Sequence, residues 1–278
     1  EPSEAHVLLQ RDLQELHEWA SKWKMSFNVN KCNIMHMGYA NPGHEYTLND
    51  TIQEKTTEEK DLGVLINNKL NFSKHISTIV GKANRMLGLI KIGFERLDKD
   101  MFLNLYLTLV RPLLEYCVQV WSPYQIKDII LLENVQRRAT KLVKEYSHLT
   151  YERRLEELEL PKLEDRRLRG DMILTYRLIN GIEDIDYKNL FTLSTNPHHT
   201  RGNSLKIAKP KAKLNVRRYS FAARIVNHWN GLPNEVVTAP SLGTFKERYD
   251  KEMASRSQKR SSSRFYFIPL LVGGRRMV

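Results

Sequence analysis

Several features are missing or scarce in this 278-residue chain. It holds only two cysteines, Cys32 and Cys117, and their wide separation predicts free thiols instead of a zinc cluster or a disulfide framework. No apolar run reaches the length of a transmembrane helix, and the first twenty residues carry too many charges for a secretory signal. We therefore expect an intracellular protein, nuclear or cytoplasmic, that is not secreted.

The sequence also lacks the usual signatures of several kinds of active site. It has no glycine-rich phosphate loop, no convincing Ser-His-Asp order and no two adjacent aspartates. Two-metal catalysis of phosphoryl transfer needs carboxylates that hold the metal ions. We therefore expect neither a metal site nor a cofactor in this chain.

Basic residues are concentrated at one end of the chain. Residues 201–278 hold 17 Lys and Arg against 4 Asp and Glu, whereas residues 1–200 hold 27 against 28, within a total net charge of +12. Such a basic surface favours a polyanion partner, of which nucleic acid is the most common. The alternative is a solvated tail, which we favour for residues 255–264.

The first 71 residues predict one helix and several short strands. Apolar residues on one helical face are Leu9, Leu13, Leu16, Ala20 and Trp23. Two alternating runs, Met25–Val29 and Cys32–Met37, predict strands joined by a turn that contains Lys31, and Tyr46–Leu48 and Leu62–Ile66 predict two more.

From residue 72 onward the hydrophobic period becomes helical. The four predicted stripes are Ile76, Ile79, Ala83, Leu87, Ile90 and Phe94; Phe102, Leu105, Leu109 and Leu113; Ile129, Leu132, Val135, Ala139, Leu142 and Tyr146; and Leu168, Met172, Tyr176 and Ile179. Pro112 is expected to kink or end the second helix. Four amphipathic helices with short connections predict a helical bundle. All four tryptophans lie on or beside apolar stripes, so we expect them in the core.

Four segments of the chain resemble one known family. They are WKMSFNVNKCNIMHMG (residues 23–38), KDLGVLI (60–66), LVRPLLEYCVQVWSP (109–123) and LENVQRRATKLV (132–143). In this order they resemble the C-terminal part of the reverse transcriptases of non-LTR, jockey-like retrotransposons. The resemblance runs from about residue 8 to about residue 251. In such enzymes the Asp-Asp turn lies just upstream of a helix like the first one here, so we expect this chain to begin after it.

The resemblance implies an α+β fold with four segments. Residues 1–71 correspond to a truncated palm sheet with one helix and a primer-grip-like hairpin, and residues 72–182 to a mostly α-helical, thumb-like bundle. Residues 183–253 are then an α-rich, basic C-terminal region, and residues 254–278 a basic tail that we expect to be disordered.

The candidate site residues are all basic. By resemblance, Lys31 corresponds to a lysine that donates a proton to the departing pyrophosphate, although an ordinary turn lysine is the alternative. The candidates for nucleic-acid binding are Arg137, Arg138, Lys141, Lys144, Lys206, Lys209, Lys211, Lys213, Arg217, Arg218 and Arg224. Those of the third helix lie away from its apolar stripe, which suits phosphate contacts but is also what any surface helix shows.

Three functions remain open at this point. The first is a fragment of an RNA-directed DNA polymerase, not an enzyme by itself, that binds RNA or RNA–DNA duplex weakly and without sequence preference. The second is a transposon relic without a selected function. The third is an excerpt of a longer, active reverse transcriptase, in which magnesium is expected.

Overall fold

A computed structural model describes residues 2–38, 40–194 and 202–264, with side chains for residues 4–38, 40–194 and 202–256. The chain divides into two compact units, Glu1–Glu164 and Asp165–Val278. The predicted α+β class is confirmed, because the described residues are mostly helical with a few small sheets. The four predicted segments are finer than the two units and remain a prediction, and their boundary at residue 182 does not coincide with that of the units.

The first unit begins with one long helix and six short strands. In chain order these are α1 (Pro2–Lys22), β1 (Asn33–Met35), β2 (Thr47–Leu48), β3 (Thr51–Ile52), β4 (Glu54–Thr56), β5 (Glu58–Asp61) and β6 (Val64–Asn67). In the described residues they form three two-stranded sheets: β1 with β4 in parallel, and β2 with β3 and β5 with β6 antiparallel. The single palm sheet that we expected is therefore not formed by these residues.

The strand predicted for Met25–Val29 is wrong. Lys24 has a φ of 54°, and the N–H of Met25 donates to the C=O of Ala20 at 2.9 Å, which is how a helix C-terminus closes. The backbone of Met25 is therefore part of the end of α1. A single 3₁₀ turn, Val29–Lys31, then leads into β1.

The hairpin of β5 and β6 contains the predicted strand near residues 62–66. Asp61 pairs with Val64, and the two residues between them, Leu62 and Gly63, have φ values of 44° and 88°. Positive φ at both positions is the geometry of a tight hairpin turn. Glycine adopts it without strain, whereas Leu62 does not, and the Leu62 side chain is 81% exposed.

Six helices complete the first unit. They are α2 (Ser73–Gly93), α3 (Lys99–Leu105), α4 (Arg111–Glu115), α5 (Val118–Trp121), α6 (Ile126–Ala139) and α7 (Tyr151–Glu157). Their buried core includes Trp121, and the stripe predicted for α2 is buried except at Phe94. Val64 of the hairpin belongs to the same core. The bundle therefore also supports part of the sheet region.

Pro112 does not end its helix, because α4 continues to Glu115. The chain widens into a π turn at Tyr106–Val110, in which the N–H of Arg111 donates to the C=O of Tyr106, and then continues as α4. A proline ring clashes with the carbonyl four residues earlier in a regular helix, and the wider turn relieves that clash. The turn also shifts the stripe, so that the buried residues are Phe102, Tyr106, Val110 and Leu114 in place of the predicted Leu105, Leu109 and Leu113.

The described residues of the second unit form five α-helices. They are α8 (Leu163–Ile179), α9 (Asn215–Arg218), α10 (Phe221–Asn230), α11 (Asn234–Val237) and α12 (Leu242–Arg264). Gly181, with a φ of 63°, follows the end of α8 as predicted. Trp229 lies fully buried in the core of this unit, beside Phe245.

The expectation of disorder in residues 254–264 is wrong, because α12 continues to Arg264. No glycine or proline interrupts residues 244–264, and Arg256 pairs with Glu252 one turn earlier at 2.7 Å. The remainder of that segment, residues 265–278, lies outside the described residues. None of the helices in the described ranges is long and apolar enough to cross a membrane.

Candidate nucleic-acid interface

Four cations lie around the C-terminal end of α6 and form what we call the α6 cluster: Arg137, Arg138, Lys141 and Lys144. All four side chains are exposed, and none forms a salt bridge with an acidic side chain in the described part of the chain. Arg138 donates one hydrogen bond, from Nη2 to Oδ1 of Asn84 at 2.9 Å. The cluster therefore offers positive charge that no carboxylate of the described residues neutralises.

The α6 cluster does not lie on one continuous helix face, contrary to the prediction. The helix ends at Ala139, and two 3₁₀ turns follow, Thr140–Leu142 and Lys144–Tyr146, with Val143 extended between them. Lys141 and Lys144 consequently project from these turns. The predicted stripe from Ile129 to Tyr146 therefore extends beyond α6, which ends at Ala139, because the hydrophobic period continues past the point where the backbone hydrogen bonds change.

Arg154 of α7 occupies the end of α6. Its side chain is buried, with 2% of the residue exposed. Its Nε donates to Oγ1 of Thr140 at 3.0 Å, and its Nη1 and Nη2 donate to the C=O groups of Leu149 and Arg137 at 2.6 and 3.4 Å. The last carbonyls of a helix lack partners within the helix and carry partial negative charge. A guanidinium with its five donors satisfies such groups well.

Tyr151, at the start of α7, also contacts Arg137. The Arg137 guanidinium lies 4.6 Å from the centre of the Tyr151 ring, a distance typical of a cation–π interaction. The hydroxyl of Tyr151 donates to Glu133 and accepts from Gln136, whose Oε1 accepts from the buried Tyr106 hydroxyl at 2.6 Å. Burial, first, and the Glu133 carboxylate raise the pKa of Tyr151 above its ordinary value, so this ring stays neutral and fixed.

The second unit has its own group of exposed cations, which we call the basic segment: Lys209, Lys211, Lys213, Arg217 and Arg218. The three lysines precede α9 and the two arginines lie on it. Apolar side chains are interleaved with them, since Leu214 is 73% exposed and Val216 is 40% exposed. Such a surface fits a polyanion with apolar faces, as nucleic acids have.

Two other predicted residues of this unit are engaged elsewhere. The Nε and Nη2 of Arg224 donate to the two carboxylate oxygens of Asp171 at 2.8 and 2.9 Å, and both side chains are largely buried. Arg224 therefore stabilises the second unit, and we withdraw it from the interface. Lys206 is half-buried, and its C=O accepts from the N–H of Ser194 at 2.7 Å in the bridge that brings Leu193 beside Ile207.

Lys31 is the last residue of the 3₁₀ turn, with an exposed side chain. Its position at a turn is as predicted, and its assigned role in catalysis is untested. Among the described residues, no group of three or more His, Cys, Asp and Glu side chains is arranged to hold a metal ion. The expectation of magnesium in a longer enzyme remains a prediction.

The hairpin of β5 and β6 is attached to the helices at two points. The hydroxyl of Tyr116 donates to the C=O of Leu62 at the hairpin tip, at 3.0 Å. In β6, one residue beyond the pair that closes the turn, the N–H of Leu65 donates to Nδ1 of His75 at 3.2 Å. Trp121 connects the two points, because its Nε1 donates to the C=O of Tyr116 and its ring lies edge-on against His75. The hairpin is therefore held as part of the bundle.

Two known proteins are similar in sequence to part of this chain. The RNA-directed DNA polymerase from mobile element jockey of Drosophila funebris is 28% identical over 175 residues, which cover 59% of this chain. The protein of the same name from Drosophila melanogaster is 26% identical over 164 residues, or 57% of this chain. This chain is homologous to jockey-type reverse transcriptases. The aligned part is only 18% of the length of each relative. No family model and no solved structure matches the chain.

The homology confirms the predicted family and corrects one prediction. The predicted resemblance to a fragment of a jockey-like, non-LTR reverse transcriptase is confirmed. Our expectation that it is not an enzyme is overturned, because both relatives are RNA-directed DNA polymerases and no finding shows the chain to be non-enzymatic. The absence of adjacent aspartates from these 278 residues does not justify that conclusion.

The sequence reasoning missed Arg154 and Tyr151 of α7. A signal was available, because Tyr151, Arg154, Leu155 and Leu158 follow a helical apolar stripe in which an arginine takes a core position. A charged residue in such a stripe is rarely buried without a specific partner. Its partners here are backbone carbonyls, which the sequence does not display.

Proposed function

We propose that this chain is part of an RNA-directed DNA polymerase, in which its helical region binds RNA or RNA–DNA duplex through the phosphates, without reading the sequence. The observation that carries this proposal is the α6 cluster, whose four exposed cations have no acidic partner in the described ranges. Phosphate contacts of this kind position a duplex and carry no sequence information. The basic segment supplies further phosphate contacts from the second unit.

Both groups of cations suit backbone binding better than base recognition. Long, exposed Lys and Arg side chains reach phosphates, whereas base recognition requires an element that enters a groove. The major groove of an A-form duplex is too narrow and deep for side chains to read, so RNA duplex and RNA–DNA hybrid favour contacts to the backbone. We therefore expect binding that is indifferent to sequence and sensitive to salt.

The test is a salt titration of duplex binding, measured by fluorescence anisotropy. The triple variant R137E/K141E/K144E should weaken binding to an RNA–DNA hybrid by at least about tenfold near 100 mM salt, and should reduce the slope of log affinity against log salt by about 2 to 3. The protein should also prefer the hybrid to B-form DNA of the same sequence.

A matched control separates a local effect from net charge. K22E/K69E/K127E makes the same change in net charge at three exposed lysines of the first unit that lie outside the α6 cluster. This control should bind the hybrid with nearly wild-type affinity and slope. Equal losses of affinity in the two triple variants would mean that binding depends on net charge and not on the α6 cluster. The duplex-binding function would then have to be abandoned.

A further inference from the structure

Arg154 is an unusual core residue. It is 2% exposed and forms no salt bridge with a carboxylate in the part of the chain that the structure describes. Removing an ion from water is costly unless hydrogen bonds or an opposite charge compensate. Burial, and secondarily the positive charge of Arg137, lower the pKa of Arg154 below its ordinary value, although a guanidinium remains charged. An apolar side chain of similar size avoids both the cost of removing an ion from water and the repulsion by Arg137.

The hydrogen bonds of Arg154 connect three separate parts of the backbone. Its acceptors are the C=O of Arg137 in the last turn of α6, the side chain of Thr140 in the first 3₁₀ turn, and the C=O of Leu149 after the second. Lys141 and Lys144 both lie between the first and last of these acceptors. One guanidinium therefore spans the two ends of the segment that carries both lysines.

Tyr151 contacts Arg137, another cation of the α6 cluster. It lies three residues before Arg154 on α7, and its ring faces the guanidinium of Arg137 at 4.6 Å. The Arg154 guanidinium lies 5.7 Å from the centre of the same ring. Two cations are thus held near one aromatic ring, an arrangement that repulsion disfavours and that a bound anion beside Arg137 stabilises.

We propose that Arg154 is a positioning residue for nucleic-acid binding: it fixes the segment of residues 140–149 so that Lys141, Lys144 and Arg137 face one bound phosphate backbone. This inference rests on the proposed function. Arg154 itself is buried and touches no ligand. Its contribution is to order the cluster before binding, which removes part of the entropy cost that flexible lysines otherwise incur on binding.

The experiment compares R154M with R153M in the full chain. The two arginines are neighbours and both changes remove one positive charge, but Arg153 is exposed and pairs with Glu156 on its own helix, at 2.7 Å. R154M should weaken binding to an RNA–DNA hybrid by about tenfold, the order expected when two long side chains are ordered only on binding. R153M should change it by less than about twofold.

R154K guards against misfolding of R154M. It retains the charge, but an ammonium cannot reproduce the planar fork that reaches three acceptors. R154K should therefore weaken binding to the hybrid almost as much as R154M does. Hydrogen exchange of the amides of residues 140–149 should accelerate in both variants, whereas exchange in α2 should stay slow. Wild-type affinity in a folded R154K protein would overturn the positioning role.

A double-mutant cycle distinguishes positioning from a general structural effect. In the background K141Q/K144Q, replacing Arg154 should have a much smaller further effect on binding, because two of the three side chains that it positions are already neutral. An undiminished tenfold loss in that background would contradict the inference. If K141Q/K144Q alone leaves affinity at the wild-type level, the proposed function of this cluster is wrong and the inference falls with it. If K141Q/K144Q weakens binding and R154M does not, only the role of Arg154 is wrong.

Discussion

The sheet region of residues 2–71 and the helical bundle of residues 72–164 bury their apolar residues very differently. Trp19 of α1 and Trp23, just after its end, are 50% and 63% exposed, and of the predicted stripe only Ala20 is buried. In the bundle, Trp121 is fully buried and the predicted residues of α2 and α6 are largely covered. Helices can cover one another's apolar faces, whereas a two-stranded sheet offers little surface to cover a helix.

The residues of α1 that face the small sheets are polar as well as apolar. Gln10 donates to the C=O and accepts from the N–H of Thr47, at 3.0 and 2.9 Å, so α1 meets β2 through hydrogen bonds. Leu9 and Leu16, from the predicted stripe, are 47% and 43% exposed. The comparison teaches that an amphipathic pattern specifies a helix even where the described chain provides little for its apolar face to pack against.

The largest expected difference between the two regions concerns their tryptophans. W121A should lower the free energy of unfolding by about 3–5 kcal/mol, because it leaves a large cavity in the core and removes the bond to the C=O of Tyr116. W23A should lower it by less than about 0.5 kcal/mol, because that ring is mostly exposed. Urea denaturation of both variants measures the contrast. Similar losses would show that α1 packs as tightly as the bundle does.

A smaller difference is expected between two glutamines with comparable bonding. Gln136 is fully buried and links the Tyr106 hydroxyl, the Tyr151 hydroxyl and the C=O of Pro161. Q136L should cost about 2–3 kcal/mol, because it leaves buried polar groups without partners.

The matched change in the sheet region is Q10L, which removes two hydrogen bonds to Thr47 at a site open to water. It should cost no more than about 1 kcal/mol, since water replaces the lost bonds. Thermal unfolding of the two variants at one pH gives the comparison. A cost for Q10L equal to that for Q136L would mean that water does not reach the contact between α1 and β2.

The smallest expected effect concerns His75, where the hairpin meets α2. Burial, and secondarily Lys82, lower the pKa of His75 in the folded protein, and Nδ1 must be unprotonated to accept from Leu65. Well above pH 6.5 both folded and unfolded histidine are neutral, so this group does not change stability there. As pH falls through 6.5 the unfolded state binds a proton first, so the free energy of unfolding decreases until the folded pKa is passed.

The measurement is urea denaturation of the wild type and H75Q at pH 7.5 and about 5.5. The wild type should lose more stability than H75Q between these values, since glutamine does not titrate. The variant H17Q, at a histidine of α1, serves as the control and should follow the wild type. If H75Q and the wild type lose the same amount, protonation of His75 does not weaken the attachment of the hairpin.

The sequence predicted periodic features better than features that depend on distant partners. The stripes of α2 and α8 and the end of α8 before Gly181 follow from local spacing and are confirmed. The end of α6 was missed because the apolar period continues through Leu142, while Arg154, from another helix, binds the C=O of Arg137 in the last turn. The strand predicted for Met25–Val29 is wrong because the N–H of Met25 closes the end of α1.

The candidate interface shows the same limit. The exposure of Lys141, Lys144 and the lysines of the basic segment agrees with what their charge suggests. The removal of Arg224 from the interface depends on Asp171, which is 53 residues away in sequence. No local pattern distinguishes a lysine or arginine that will face solvent from one that will meet a carboxylate in the folded unit.

The π turn at Tyr106–Val110 determines which side chains of the following helix, α4, face the core. An α-helix turns by about 100° per residue, so one extra residue normally rotates the next segment out of the core. The wide turn absorbs that rotation, which keeps Leu114 buried behind Phe102 and Tyr106. Deleting one residue here restores the regular spacing but returns Pro112 to a position where its ring clashes. Relatives that shorten this turn are therefore expected to replace the proline as well.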